Sequence, residues 1–118
     1  MTDERPLGDL DYCYLTTTGR HSGRSYRIEI WFALEDGVVY LLSGGGDRSD
    51  WVRNLMISPE VVLEIGDVKR TARARIVTDP AEDRKARRLV MEKYQPRDRG
   101  DLTDWGRSSL PVAIDRKE

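Results

Sequence analysis

The chain has 118 residues, of which 38% are hydrophobic and 35% are charged, and its formal net charge is −1. This length is typical of one domain with a modest core, so we predict a single domain over residues 1–118. The balanced charge argues against nucleic acid as a partner, because nucleic-acid-binding domains usually carry a basic excess. The one cysteine, Cys13, excludes an intrachain disulfide and a multi-cysteine metal site.

Residues 1–11 are polar and acidic, and we predict that they form a flexible N-terminal segment. They lack the basic, apolar and small-residue regions of a signal peptide. No apolar run elsewhere approaches the ~20 residues that a membrane-spanning helix needs. We therefore expect a cytoplasmic protein with no membrane span.

The first third of the chain predicts strands joined by short turns. Residues 12–18 are rich in β-branched and aromatic side chains, and a turn follows at residues 19–23. Residues 26–34 alternate between apolar and polar types and predict one continuous strand. The sequence Glu-Asp-Gly at residues 35–37 predicts a hairpin turn, and residues 38–43 predict an apolar strand that is buried on both sides.

Three glycines at residues 44–46 end this strand, and a short helix follows. Asp47 or Ser49 can cap this helix, which is predicted to run to about Ile57. Its inner side is predicted to carry Trp51, Leu55 and Met56.

Residues 60–65 and 68–77 predict two strands joined by a turn at Gly66 and Asp67. Their inward-facing side chains are predicted to be Val61, Leu63, Ile65, Ala72, Ala74 and Ile76.

A second helix is predicted to begin after Asp79 and to run to about Tyr94. Asp79 can cap it, Pro80 suits the first helical position, and the Glu82 side chain can reach back to complete a capping box. The buried face is predicted to carry Ala86, Leu89, Val90 and Tyr94.

Residues 95–109 show no clear period and predict a long loop of the kind that often covers a binding site, and the alternative is a disordered segment. Residues 110–115 predict a last strand, and Pro111 indicates that this strand lies at a sheet edge or begins there. About six strands, mostly joined by hairpins, and two small helices predict an antiparallel barrel of the α+β class.

Cationic side chains cluster at the first turn, with no acidic residue among them. Glycine there lets backbone amides face a ligand, and arginine pairs with phosphate oxygens in bidentate fashion. The cluster predicts a cradle for phosphates or carboxylates, and the alternative is a solvated hairpin turn. Its residues are Arg20, His21, Ser22, Gly23, Arg24 and Arg27.

A second candidate site is the glycine loop and the helix that follows it. Glycine allows a ligand to approach the backbone closely, and a helix N-terminus attracts anions. The segment predicts a site for an anion or for the polar edge of a ring system, although it lacks the Lys-Ser/Thr ending of a P-loop. The alternative is a flexible connection. The residues concerned are Ser43, Gly44, Gly45, Gly46, Trp51 and Asn54.

Other chemistry-bearing residues favour structural roles. The basic residues within 84–93 fall opposite the apolar face of the predicted helix, so a solvated face is favoured over a polyanion site. Cys13 is predicted to be a core residue, and His21 lacks partners for a metal site. Trp31 could line a pocket or be an ordinary half-buried tryptophan, and Trp105 could cover a ligand or anchor its loop. We predict no metal ligand and assign no catalytic residue.

Six motifs occur in order: LTTTGRHSGR at 15–24, EDG at 35–37, SGGG at 43–46, WVRNL at 51–55, SPEV at 58–61 and LPVA at 110–113. Together they span roughly residues 12–114, nearly the whole chain. In these motifs the chain resembles the deazaflavin-dependent nitroreductase family. The resemblance implies a split β-barrel like that of the pyridoxamine-phosphate-oxidase-type, FMN-binding proteins, and it implies coenzyme F420 as the ligand.

The resemblance also implies roles for the two candidate sites. The cationic turn would hold the phosphate and carboxylate tail of F420, through Arg20, His21, Ser22, Gly23, Arg24 and Arg27. The glycine loop would line the deazaflavin ring, through Ser43, Gly44, Gly45 and Gly46. Trp51 and Asn54 would pack or hydrogen-bond beside that ring.

The implied function is F420-dependent hydride transfer to or from a small organic substrate such as a quinone, an enone or a nitro compound. A proton would come from solvent or from a hydroxyl such as Ser43. The alternatives are a non-catalytic F420 carrier, a related FMN-dependent reductase, and a nucleic-acid-binding or partner-binding domain that uses the basic helix, which the balanced charge argues against. The chain is expected to be a monomer or a homodimer.

The chain also departs from the family pattern. Glu29-Ile30 stands where the family often has Pro-Leu, and the glycine loop is about two residues short and lacks a basic residue after Ser43. The tail has Trp105 in place of a tyrosine cluster. These differences predict a different substrate pocket, so nitroimidazole reduction is not carried over.

Overall fold

The computed structural model describes residues 5–116. Of the predicted flexible segment, residues 1–4 therefore lie outside the described residues. Residues 5–11 include a short helix, α1 (Arg5–Gly8). Two backbone carbonyls that follow α1 accept hydrogen bonds from side chains in the C-terminal part of the chain. The carbonyl of Leu10 accepts from Lys93 at 2.7 Å, and that of Asp11 accepts from the Tyr94 hydroxyl at 2.8 Å.

The strands of the described residues form one antiparallel sheet. They are β1 (Cys13–Thr18), β2 (Ser25–Ile30), β3 (Ala33–Glu35), β4 (Val38–Ser43), β5 (Glu60–Ile65), β6 (Val68–Ile76) and β7 (Leu110–Arg116). Their order in the sheet is β2-β1-β5-β6-β7-β4-β3. Hairpins join β1 to β2, β3 to β4 and β5 to β6. The predicted α+β class is confirmed, with seven strands in place of six.

The predicted continuous strand over residues 26–34 is wrong. It is divided into β2 and β3, which lie at opposite edges of the sheet. The Phe32 N–H donates to the Tyr94 hydroxyl at 3.0 Å, and the Phe32 carbonyl accepts from Lys93 Nζ at 2.9 Å. Side chains therefore replace a neighbouring strand here, and the chain crosses from one edge to the other.

The hairpin and the doubly buried strand are confirmed. Asp36 and Gly37 have φ values of 53° and 78°, the paired positive values of a two-residue hairpin turn. In β4, Val39 and Leu41 pack into one apolar cluster, and Tyr40 and Leu42 pack into another. The β4 strand is thus covered on both faces.

Three further helices are α2 (Asp50–Ile57), α3 (Pro80–Tyr94) and α4 (Thr103–Ser108). The predicted cap of α3 is confirmed, because Asp79 accepts from the Glu82 N–H at 3.2 Å. The Glu82 carboxylate does not reach back, since it pairs with Arg75 at 2.6 Å. The inward prediction for Met56 is wrong, because Met56 is 57% exposed and Val52 and Leu55 are buried instead.

The predicted loop over residues 95–109 is also wrong. It contains a 3-10 turn (Gln95–Arg97) and α4, in which Gly106 is buried. A helix of six residues is too short to show a helical period in the sequence. β7 lies between β6 and β4 and is therefore an interior strand. Pro111 is its second residue, so of the two predicted positions for this proline the beginning of the strand is confirmed and the sheet edge is wrong.

The core has two parts. One fills the inner face of the sheet beneath α2, and the other lies between α3 and the outer face of β4 and β7. Ile76 and Leu89 border these clusters and are only half-buried, against expectation. In the part of the chain that the structure describes, no helix is long and apolar enough to cross a membrane.

Candidate functional site

A cleft of about 390 Å³ lies beside the first turn, between β1, β2 and α2. We name it the turn cleft. Its volume lies within the roughly 300–1,000 Å³ that small-molecule and cofactor sites occupy. Five of the residues predicted from the sequence line it, namely Arg20, His21, Ser22, Trp51 and Asn54. The remaining lining residues are Thr17, Gly19, Tyr26, Ile28 and Asp50.

Arg20 is held in place by α2. Its backbone N–H and its Nη1 donate to Asn54 Oδ1 at 3.1 and 2.9 Å. Its Nη2 pairs with Asp50 Oδ1 at 3.1 Å. Asn54 in turn donates from Nδ2 to Thr17 Oγ1 at 3.2 Å, so both ends of its amide are occupied. Asn54 is therefore a residue that positions Arg20.

The first turn needs its glycines. The Gly23 N–H donates to the Gly19 carbonyl at 2.9 Å, and Gly23 has a φ of 74°, which other residues rarely adopt. A Cβ on Gly19 would lie 2.5 Å from the Tyr26 ring and 2.8 Å from Ser22 Oγ. Ser22 Oγ also accepts from the Arg24 N–H at 3.1 Å. These contacts give the turn one tight shape.

Two side chains of the turn, His21 and Arg24, are available to a ligand. His21 and Arg24 are exposed, and within residues 5–116 neither side chain makes a hydrogen bond or an ion pair. Arg24 carries five donors in a planar fork that matches phosphate or carboxylate oxygens. The turn can therefore receive an anion without first breaking a contact of these two groups.

The N-terminus of α2 lies beside the same cleft, because Asp50 and Trp51 line it. Ser49 occupies the cap position but its side chain makes no capping bond. The Ser49 hydroxyl instead lies 3.0 Å from Ser43 Oγ. The backbone N–H groups of the first helical turn are thus not capped by Ser49, and such groups attract anions.

Arg27 lies away from the turn cleft. In the β1–β2 ladder, Thr17 pairs with Tyr26 and Leu15 pairs with Ile28, and the side chains of Tyr26 and Ile28 face the cleft. Arg27 alternates to the opposite face of the sheet. There it donates to Glu64 at 3.0 and 3.4 Å and lies 3.8 Å above the Tyr14 ring. The hydrogen bond from Arg27 lowers the pKa of Glu64.

The glycine loop does not line the turn cleft. Ser43 is buried, and its hydroxyl donates to the Gly46 carbonyl at 2.9 Å. Because that uses its only proton, the Ser49 hydroxyl must donate to Ser43. Ser43 is thus engaged within the loop rather than turned toward a ligand. Gly44 faces α4, since a Cβ there would lie 3.2 Å from Trp105 Nε1.

A second cleft, of about 520 Å³, lies where Trp105 meets the end of β2. We name it the aromatic cleft. Its lining residues are Tyr12, Glu29, Ile30, Trp31, Leu42, Leu102 and Trp105. Of these, the sequence drew attention to Trp31 and Trp105 as possible pocket residues and to Glu29 only as a departure from a family pattern. The sequence did not identify Tyr12, Leu42 and Leu102 as pocket residues, because folding brings them together from distant parts of the chain.

The remaining chemical groups have structural roles. Burial raises the pKa of the Cys13 thiol to about 12, so it stays protonated in the core. Among residues 5–116, no group of three His, Cys, Asp or Glu residues is placed to hold a metal ion.

A family model described as F420H(2)-dependent quinone reductase matches residues 3–117 of the chain. Comparison with curated proteins finds no match. Among solved structures, an F420-H2 dependent reductase is 22% identical with a TM-score of 0.72, over 89% of this chain and 94% of that one.

Two other solved structures have the same fold at lower identity. A candidate pyridoxamine 5'-phosphate oxidase from Listeria innocua is 14% identical with a TM-score of 0.70, over 95% of this chain and 88% of that one. A heme storage protein from Vibrio cholerae is 14% identical with a TM-score of 0.75, over 97% of this chain and 87% of that one. These likenesses confirm a split β-barrel, which opens between β2 and β3.

Proposed function

The chain belongs to the F420H(2)-dependent quinone reductase family, and on that premise we propose that it transfers hydride between F420 and a small organic acceptor of the quinone, enone or nitro class. Membership of the family makes it an F420-dependent reductase. The acceptor class and the residues that hold the coenzyme are the proposed part. The observation that carries this part is the turn cleft, where His21 and the firmly held Arg20 lie beside the N-terminus of α2, with the exposed Arg24 on the adjoining turn.

The residues of the first turn fit the anionic tail of F420. His21 lines the turn cleft and Arg24 lies on the same turn outside that lining, and no described residue occupies the donors of either side chain. Arg20 adds a guanidinium that α2 holds in position through Asn54 and Asp50. Phosphate and carboxylate oxygens pair well with such groups. Arg27 is left out of this set, because it lies on the opposite face of the sheet.

The path along β2 supports an extended ligand. Tyr26 and Ile28 line the turn cleft, and Ile30, on the same face, lines the aromatic cleft. At 3.2–3.4 Å per residue, Tyr26 and Ile30 are roughly 13 Å apart along the strand. A coenzyme whose tail lies in the turn cleft would thus direct its ring toward the aromatic cleft.

The coenzyme, when bound, supplies the hydride chemistry. The protein's part is to hold the reactants together and to exclude water, which can lower the barrier by several kcal/mol. Trp51 forms an apolar wall of the turn cleft, and Asn54 keeps Arg20 in position. The buried and internally bonded Ser43 is not proposed as the proton donor, so solvent is the source.

Titration of the pure protein with F420, followed by fluorescence and run beside FMN, tests the coenzyme assignment. We expect saturable binding of F420 and much weaker binding of FMN. Arg24→Ala should raise the Kd of F420 about tenfold or more, because it removes a charge-assisted hydrogen bond. The unfolding temperature should not change, since the Arg24 side chain has no partner among the described residues.

Arg88→Ala is the matched control, because Arg88 is an exposed arginine on α3 whose one ion-pair partner among the described residues is the exposed Glu92, at 3.4 Å. It should leave the Kd of F420 unchanged. An Arg24→Ala protein with a normal Kd but slow turnover would contradict the cradle assignment. Steady-state turnover of F420H2 with menadione separates a reductase from a carrier, which would bind the coenzyme and show no turnover.

A further inference from the structure

We propose that the aromatic cleft binds flat aromatic acceptors that carry a positive charge, such as a pyridinium-type ring or a ring with an ammonium substituent. The role of this cleft as the acceptor pocket rests on the proposed function. Its preference for a cation rests on its own walls and on Glu29, so the two claims can be tested separately.

The walls of the cleft form a rigid aromatic corner. Trp31 and Trp105 meet at 83°, with ring centroids 5.6 Å apart. Tyr94 stacks on Trp31 at 4.3 Å and 3°, which holds the Trp31 ring in place. Tyr12 is 47% exposed and adds a third aromatic side chain to the lining. Trp31 and Trp105 remain partly exposed, and the faces of tryptophan and tyrosine attract cations.

Glu29 supplies a carboxylate at this corner that forms no ion pair among the described residues, although Arg27 lies near enough to interact with its charge. It lines the cleft from the end of β2, and one of its oxygens accepts from the Tyr14 hydroxyl at 2.9 Å. Arg27, the neighbouring cation on the same face of the strand, is bonded to Glu64 instead. Among the ion pairs of the described residues, none includes Glu29.

These features define a substrate class. A carboxylate at the mouth of an aromatic cleft attracts a cationic ring, tolerates a neutral one and repels an anionic one. Quinones or nitroaromatic compounds with an acidic substituent should accordingly be poor acceptors.

Binding is measured first without coenzyme, by quenching of tryptophan fluorescence with three probes of one ring size. The probes are N-methylquinolinium, quinoline, which is uncharged at neutral pH, and quinoline-2-carboxylate. N-methylquinolinium should bind about tenfold more tightly than quinoline-2-carboxylate, with quinoline between them. Glu29→Gln should bring all three affinities to within about threefold of one another.

Glu92→Gln is the control, because Glu92 is an exposed carboxylate on α3 that is not part of the cleft. It should keep the order of the three probes. Equal affinities in the unmodified protein, or an order that Glu29→Gln does not change, would overturn the proposal. Glu29 is exposed, so this substitution is not expected to prevent folding.

Turnover then connects the cleft to the reaction. N-methylquinolinium should inhibit menadione reduction by F420H2 competitively against menadione, and Glu29→Gln should raise its inhibition constant about fivefold or more. Inhibition that is competitive with F420H2 instead would indicate that the cation binds in the coenzyme site rather than in the aromatic cleft, and would contradict the proposal. A protein that orders the three probes as expected but does not reduce menadione would contradict the proposed reaction and leave the cation site supported.

Discussion

At the scale of single residues, Tyr94 decides how the sheet divides. Its hydroxyl accepts from the Phe32 N–H at 3.0 Å and donates to backbone carbonyls, that of Asp11 at 2.8 Å or that of Phe32 at 3.1 Å. Burial raises its pKa to about 12, so the hydroxyl keeps its proton across the physiological range. One phenol thus gives the backbone between β2 and β3 the partner that a strand would otherwise supply.

Tyr94→Phe should lower the free energy of unfolding by about 1–3 kcal/mol, because it leaves the buried Phe32 N–H without a partner. Urea denaturation measures the change. Tyr12→Phe is the control, since Tyr12 is half exposed and should shift the free energy by no more than about 0.5 kcal/mol. Equal effects of the two substitutions would contradict the role of the Tyr94 hydroxyl.

At the scale of elements, α4 packs closely against α3 at Gly106. A Cβ on Gly106 would lie 2.5 Å from Met91 Sδ and 2.9 Å from Met91 Cγ. Arg87 on α3 donates from Nη1 to the carbonyls of Gly106 and Arg107, both at 2.8 Å. This close packing carries Trp105 into the aromatic cleft, so the contact between the helices also shapes the candidate acceptor pocket.

Gly106→Ala should destabilise the protein by about 1–3 kcal/mol, because overpacking a buried contact outweighs the better helix propensity of alanine. Thermal unfolding measures this loss. The exposed Gly100→Ala is the matched control and should be nearly neutral. A stabilised Gly106→Ala protein would show that α4 can move away from α3 at little cost.

At the scale of the whole molecule, Arg75 connects the two sides of the fold. From β6 it donates to Glu82 on α3 at 2.6 and 2.8 Å, and to Asp115 on β7 at 2.8 and 3.2 Å. The Tyr40 hydroxyl on β4 also donates to Glu82, at 2.8 Å. Four elements therefore meet at one charge network, and hydrogen bonding from Arg75 lowers the pKa of Glu82 to about 2.

Because of this network, the free energy of unfolding should decrease as the pH falls into the acid range. The pKa of Glu82 is about 4.5 in the unfolded chain and about 2 in the folded one, so below about pH 4.5 the unfolded chain binds more protons. The contribution of Glu82 is complete above pH 4.5 and is lost as the pH falls toward 2. Urea denaturation at several pH values measures the free energy of unfolding. Between pH 4.5 and 2 this free energy should fall less steeply with decreasing pH in Glu82→Gln than in the unmodified protein, whereas Glu92→Gln should show the same pH dependence as the unmodified protein.

Local patterns were enough to predict much of the fold. The alternation in β1, β5 and β6, the Asp36-Gly37 turn and the Asp79 cap each depend on residues close together in the chain. Five lining residues of the turn cleft also come from two short motifs, but the sequence grouped Trp51 and Asn54 with the glycine loop, and only the packing of α2 brings them beside the first turn. Backbone propensity and side-chain period act over a few residues, which is the range that a single sequence displays.

Contacts between distant residues decided the rest. The break after Ile30 depends on Tyr94, which lies more than sixty positions further along the chain than Phe32, and the alternation of residues 26–34 carries no trace of it. Arg27 lies outside the cleft because its strand pairs with β1 in one register, and Ser43 is internal because Ser49 and Gly46 engage its hydroxyl. The aromatic cleft exists only where β2, β4 and α4 meet. Residue types determine which chemical groups the chain can offer to a ligand. Strand order and register determine which of these groups share a surface, because strand order and register depend on packing across the whole sheet.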